Sequence, residues 1–154
     1  MWAFFYQINK DIILKIVIQR VKSSSVTVAN KLINEINHGM TLLVCIEKCD
    51  TPQTIIKASE KILKLRIFSE RMSKSICDIK GEILCISQFT LSWQGEKGNR
   101  PGFDKAMAPD KASILLEQFC NLLSEKVIVK SGLFGEHMEV SINNDGPVTF
   151  HLEF

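Results

Sequence analysis

The sequence predicts an α+β domain: a closed or nearly closed, barrel-like sheet with two main helices packed on it. Apolar segments of strand length follow one another in runs, and only two stretches repeat apolar residues at helical spacing. No glycine-rich phosphate loop follows any strand, which argues against a doubly wound sheet. With 154 residues, 45% of them hydrophobic, the chain has the length of one domain. A chain of that size buries about two-thirds of its unfolded surface in a single core.

Residues 1–14 read as an N-terminal extension and residues 15–154 as the domain. The extension is apolar at its front but broken by Gln7, Asn9, Lys10 and Asp11. It is too interrupted for a membrane span, which needs about 20 apolar residues, and it lacks the basic start and small-residue cleavage site of a signal peptide. Lys15 to Val21 and Ser25 to Val28 read as strands separated by a serine-rich turn, Lys31 to Ile36 as another strand, and His38-Gly39 as a turn. Met40 to Ile46 is a continuous apolar run, implying a strand covered on both faces. Thr51 and Pro52 are an N-cap and first helical residue, followed by a stripe of Ile55, Ile56, Ile62, Leu63 and Leu65. Ile83 to Ile86 is an apolar strand that runs into Ser87-Gln88-Phe89-Thr90-Leu91. A second helix spans Pro109 to Ser124, with Ile114, Leu115, Phe119 and Leu122 expected to face the core. Val127 to Lys130 and two alternating segments, Met138 to Ile142 and Val148 to Leu152, close the chain. Gly146-Pro147 lies between those last two, at the tip of an expected hairpin.

Composition limits the function classes. Net charge is only +2, from 19 basic and 17 acidic residues. Any nucleic-acid contact must therefore come from a local cluster such as Lys97 to Arg100, joined by Lys105, and not from bulk charge. The five cysteines show no CxxC spacing and read as reduced, which fits a cytoplasmic protein. Cys45 and Cys49 are four apart, but His38, His137 and His151 are scattered and complete no ligand set, so neither metal nor cofactor is expected. No GxSxG elbow is present. Ser87 and Thr90 are the tempting nucleophiles, yet no histidine and carboxylate pair with either by spacing. A hydroxyl at a strand end more commonly satisfies backbone or positions a substrate.

Several separated motifs now combine. Ile18-Gln19-Arg20-Val21, Leu65-Arg66-Ile67-Phe68, Ser87-Gln88-Phe89-Thr90-Leu91, Lys97-Gly98-Asn99-Arg100-Pro101, Phe134-Gly135 and Asn144-Asp145-Gly146-Pro147-Val148-Thr149 occur in this order. Together, from about Lys15 to Phe154, they resemble the D-aminoacyl-tRNA deacylases, homodimeric hydrolases that strip D-amino acids from tRNA. The resemblance implies a β-barrel with helices against one side, agreeing with the reading above. It implies a cis Gly146-Pro147 pair that reaches into the partner subunit's active site, so that two main-chain carbonyls hold the substrate's α-ammonium and an L side chain is rejected. Arg20, with Gln19 beside it, would brace that loop. Ser87, Gln88, Phe89 and Thr90 would form the opposite wall, the N–H groups of Phe89 and Thr90 facing the ester. The terminal ribose 2′-hydroxyl of the tRNA would help activate water. Met138 would line the adenine pocket, and Lys97, Arg100 and Lys105 would meet the acceptor end. Glycyl esters, with no side chain to clash, would pass the filter. A sister group that acts on mischarged L-alanine carries a different version of the Ser87 to Leu91 segment. Family members usually begin with methionine where Leu14 stands, so one hypothesis is a start at that codon, which an intact Met1 in the native protein would disprove.

Overall fold

The computed structural model describes residues 14–95 and 97–154. Residues 1–13 of the expected extension lie outside that range. The chain runs through strands β1 (Lys15–Val28), β2 (Lys31–Ile36) and β3 (Gly39–Cys45), helix α1 (Pro52–Lys64), strands β4 (Arg66–Phe68), β5 (Lys74–Ser75) and β6 (Glu82–Ser87), helix α2 (Pro109–Ser124), and strands β7 (Ile128–Ser131) and β8 (Glu139–Glu153). The main sheet has the order β2-β1-β3-β6-β7, with β8 on the other side of β1. Strand β6 is parallel to both β3 and β7, while β1 is antiparallel to β2, β3 and β8. The sheet nearly closes where β2 approaches β7. There Asn34 Nδ2 donates to the Ser131 carbonyl at 2.6 Å and Lys130 Nζ donates to the Glu35 carbonyl at 2.8 Å.

Alternation along the strands feeds two cores. Ile16, Ile18, Met40, Leu42, Ile83 and Cys85 point to the helices and meet Ile55, Ile62, Leu116 and Phe119. Val21, Val26, Ile36, Leu84 and Ile86 point the other way, into the barrel. This explains the unbroken apolar runs of β3 and β6, since both faces are covered. Full burial of one such side chain is worth about 1.5–3 kcal/mol. Gly39 starts β3 where β6 approaches most closely: a Cβ there would lie 1.8 Å from the Glu82 carbonyl oxygen.

Both helices begin where proline marks them. Thr54 Oγ1 accepts the Thr51 N–H at 3.3 Å, closing the first turn of α1. Proline at the first position costs nothing, because its missing N–H would have had no partner inside the helix. Three sequence expectations are corrected. Ile114 is exposed and Leu122 only half-buried, while Ala112, Leu116 and Leu123 join Leu115 and Phe119 on the inner face of α2. The serine-rich turn expected between Val21 and Ser25 is instead the middle of β1, where Ser24 is buried and its Oγ donates to the Ser141 carbonyl at 2.8 Å. The final two segments are not a hairpin either. Both pair antiparallel with β1, so the chain does not reverse at Gly146-Pro147, and β8 is a single interrupted strand.

Candidate active site

That interruption is a large bulge. Gln19 pairs with Thr149 and Val21 with Asn144, so the single residue Arg20 faces Asp145, Gly146, Pro147 and Val148. Residue types dictate where the bulge falls: Pro147 has no N–H to offer the ladder, and Gly146 takes a φ of +125° that L side chains rarely adopt. The Gly146–Pro147 peptide is cis. Arg20 holds the bulge from below. Its Nε donates to the Asp145 carbonyl at 3.2 Å and lies 3.3 Å from that residue's Oδ2, while Nη1 donates to the Ile67 carbonyl at 2.7 Å. The planar guanidinium thus ties β8 to the segment after α1, using donors fixed relative to one another. His38 Nε2 stands 3.9 Å from the same Asp145 carboxylate. Beside Arg20, Thr149 Oγ1 donates to Gln19 Oε1 at 2.5 Å. Gly146 and Pro147 themselves are exposed.

The second expected wall lies at the end of β6. Gln88 N–H donates to the Val44 carbonyl at 2.8 Å, one step past the strand, and Phe89–Ser92 then form a 3-10 turn. The first N–H groups of such a turn have no acceptor within it. Gln88 Nε2 donates to Thr90 Oγ1 at 2.5 Å, which engages the hydroxyl as an acceptor. From beneath, the Cys45 thiol donates to the Phe89 carbonyl at 3.5 Å. Burial, with help from Glu47, pushes this thiol up to about 12, so it remains protonated and able to donate.

Two adjoining cavities, of about 490 and 440 Å³, flank this wall, and Ser87 and Phe134 line both. Met138 lines the first, backed by Gly132, where a Cβ would come within 2.5 Å of the Met138 sulfur. Phe89 lines the second, its ring 56% exposed and edge-on to Phe103 at 5.0 Å. The ring is therefore not core. Lys97 and Arg100 are exposed on the segment leading to Phe103, and Lys105 Nζ donates to Gln94 Oε1 at 2.8 Å.

Within one chain the two walls do not meet. Three strand spacings separate β8 from β6, about 14 Å across the sheet. Ser87 pairs at the level of Val44 and Ile16, four residues or about 13 Å along from Arg20. Neither Gly146 nor Pro147 lines either cavity. His137 and His151 line neither cavity as well, and His151 instead lies 3.8 Å from Glu153.

Sequence reasoning missed two contributors. Phe103 carries no motif of its own, although its place after a glycine- and proline-rich loop is where an aromatic lip would sit. Lys15, Glu47 and Asp50 form a buried polar cluster under the turn. Lys15 Nζ lies 3.2 Å from Glu47 Oε1 and donates to the Leu91 carbonyl at 3.3 Å, and Asp50 Oδ2 accepts the Glu47 N–H at 2.7 Å. Burial raises the Asp50 carboxyl to about 6.

Comparison with known proteins follows the same outline. The family model of the D-Tyr-tRNA(Tyr) deacylases matches residues 17–153. A D-aminoacyl-tRNA deacylase of Nautilia profundicola is 47% identical over 140 residues, covering 91% of this chain and 99% of its own length. One of Persephonella marina is 48% identical, covering 89% and 95%. Among solved structures, a c-Myc DNA unwinding element binding protein superposes with a TM-score of 0.86 at 41% identity, covering 91% of this chain and 98% of its own. A structure described as "a probable eukaryotic D-amino acid tRNA deacylase" gives 0.81 at 17% identity, over 93% and 100%, and so shares the fold. With a family model spanning nearly the whole domain and relatives this similar along their full length, the chain belongs to the D-Tyr-tRNA(Tyr) deacylase family.

Proposed function

We propose that this protein is a D-aminoacyl-tRNA deacylase that hydrolyses the ester between a D-amino acid and the tRNA 3′ end, releasing both, as a cytoplasmic homodimer. The observation that carries the reading is the Gly146-Pro147 bulge, exposed, pinned by Arg20 and distant from the Ser87 to Thr90 wall of its own chain. In a dimer each bulge completes the partner's site. The carbonyl oxygens of Gly146 and Pro147 then hold the substrate α-ammonium by charge-assisted hydrogen bonds. With ammonium and ester both fixed, a D side chain leaves toward solvent and an L side chain meets main chain. Selectivity arises from exclusion, so side-chain identity matters little and glycyl-tRNA is also cleaved.

The N–H groups of Phe89 and Thr90 receive the ester carbonyl and the charge that develops on it. Ser87 and Gln88 shape that wall, and no side chain acts as nucleophile. The 2′-hydroxyl of the terminal ribose assists the attacking water, and the enzyme contributes orientation. The terminal adenine lies in the cavity lined by Met138 and Phe134, while Lys97, Arg100 and Lys105 meet acceptor-end phosphates. Supporting this reading are the exposed Phe89 ring and its neighbour Phe103 beside Ser87, which offer the apolar lip that a base or a side chain needs.

The deciding experiment is amino acid release from matched D-tyrosyl- and L-tyrosyl-tRNA with a metal chelator present. Rapid hydrolysis of the D ester alone is expected. Binding of uncharged tRNA with neither ester cleaved would replace the enzyme with a non-catalytic RNA-binding module.

A further inference from the structure

A lysine with its side chain only 6% exposed is an unusual component of a small domain, and Lys15 is one. Its ammonium has two partners among the described residues: the Glu47 carboxylate at 3.2 Å and the main-chain carbonyl of Leu91 at 3.3 Å. Leu91 belongs to the short turn that carries Phe89 and Thr90. The same turn is gripped at the Phe89 carbonyl by the Cys45 thiol, at 3.5 Å. Strand β1 and the end of β3 therefore fasten two main-chain carbonyls of the turn from below, and its first N–H groups are left for what lies above.

Burying an ion pair is a poor route to stability, since apolar residues of similar volume commonly serve as well or better. Its presence here calls for another role. We propose that Lys15 is a positioning residue of the deacylase, fixing the height and tilt of the Phe89–Ser92 turn so that the Phe89 and Thr90 N–H groups meet the ester oxygen. This rests on the deacylase reading above. Glu47 holds the ammonium in place, and Ala106, bridged to Glu47 in a short antiparallel contact, carries the same reference frame to the far wall of the second cavity. An ammonium suits the task because it donates to the Leu91 carbonyl while its charge pairs with the Glu47 carboxylate, whereas an apolar side chain leaves that carbonyl without a donor.

The test separates positioning from stability. In the full-length chain, Lys15→Met combined with Glu47→Leu removes both charges together, so neither is left buried alone. Expected is a melting temperature close to that of the parent, the relief of two buried charges offsetting the donor lost to the Leu91 carbonyl, with kcat on D-tyrosyl-tRNA lower by about ten- to a hundredfold and KM unchanged, the pattern of a misplaced transition-state contact. A folded double variant with kcat within about twofold of the parent overturns the proposal. The single changes Lys15→Met and Lys15→Arg give a second readout. Arginine keeps a cationic donor between Glu47 and Leu91 and is expected to recover most of the kcat that methionine loses, and equal loss in both overturns the assignment. A parent protein inert toward D-tyrosyl-tRNA overturns the deacylase reading and this inference with it, whereas an active parent with an undiminished double variant overturns Lys15 alone.

Discussion

Arg20→Lys tests whether the bulge depends on a rigid fork or merely on a positive charge. Arginine reaches the Ile67 carbonyl at 2.7 Å and the Asp145 carbonyl at 3.2 Å from two different nitrogens, and its side chain is 14% exposed. Lysine keeps the charge near the Asp145 carboxylate but offers one point of donation, so at least one of those bonds is lost. A hydrogen bond from a charged donor is worth about 1.5–3 kcal/mol, and partial rehydration of the freed carbonyl keeps the total near that range. For a domain of this length that corresponds to a fall in melting temperature of about 4–10 °C. Two assays are needed: thermal unfolding, and the ratio of D-tyrosyl- to L-tyrosyl-tRNA hydrolysis. Both are expected to fall, the ratio by about tenfold or more, because a loosened bulge no longer presents its carbonyls at fixed positions. A variant that melts within about 2 °C of the parent and keeps its D over L ratio would show that the charge alone suffices.

Three further expectations follow from local geometry. Gly146→Ala places a methyl 2.9 Å from Val148 Cγ2 and 3.2 Å from Arg20 Nη2 at a φ of +125°, so a loss of about 1–3 kcal/mol and weaker D-ester hydrolysis are expected, measured by denaturant titration and single-turnover release. Thr90→Ala removes a hydroxyl that accepts from Gln88, so most deacylation should persist; complete loss in a folded variant that still binds tRNA would restore a side-chain nucleophile. Asp50 has its carboxyl raised from 3.8 to about 6, first by burial and then by Glu47. The folded state thus holds this proton more tightly than the unfolded state, and stability from this group is greatest below pH 3.8 and is lost as pH rises through about 6. An asparagine side chain at this position would still accept the Glu47 N–H without carrying a charge. Asp50→Asn is therefore expected to raise stability by about 1–2 kcal/mol at about pH 8, after allowance for solvent screening, and to change it little at about pH 4, as read from melting curves across that range.

Much of the fold was legible because its punctuation is local. Pro52 and Pro109 mark both helix starts, and the unbroken apolar run of β3 announces coverage on two faces. Partner choice was not legible. The segments flanking Gly146-Pro147 alternate with period two, which states that each is a strand but not whether they pair with each other or with β1. Ser23 and Ser24 resemble a turn until β8 is placed alongside, with Ile142 opposite Ser24 and the Ser141 carbonyl accepting from its hydroxyl. The site divides in the same way. Gly146, Pro147, Arg20 and the Ser87 to Thr90 segment are recognisable from motif order. Their separation in one chain is a property of strand order and register. Lys15, Glu47 and Asp50 escaped notice because a cluster drawn from a strand and the loop that leads into a helix has no spacing to read.

The bulge in β8 also bears on solubility. Among the described residues β8 pairs only with β1, so a strand of 15 residues presents its outer edge to solvent, a length that invites uncontrolled strand addition. Gly146 and Pro147 cut that edge into two shorter runs, and Pro147 withholds an N–H at the break. A stray chain that begins to zip onto one half runs into the interruption before reaching the other, so the bulge also guards the molecule against aggregation.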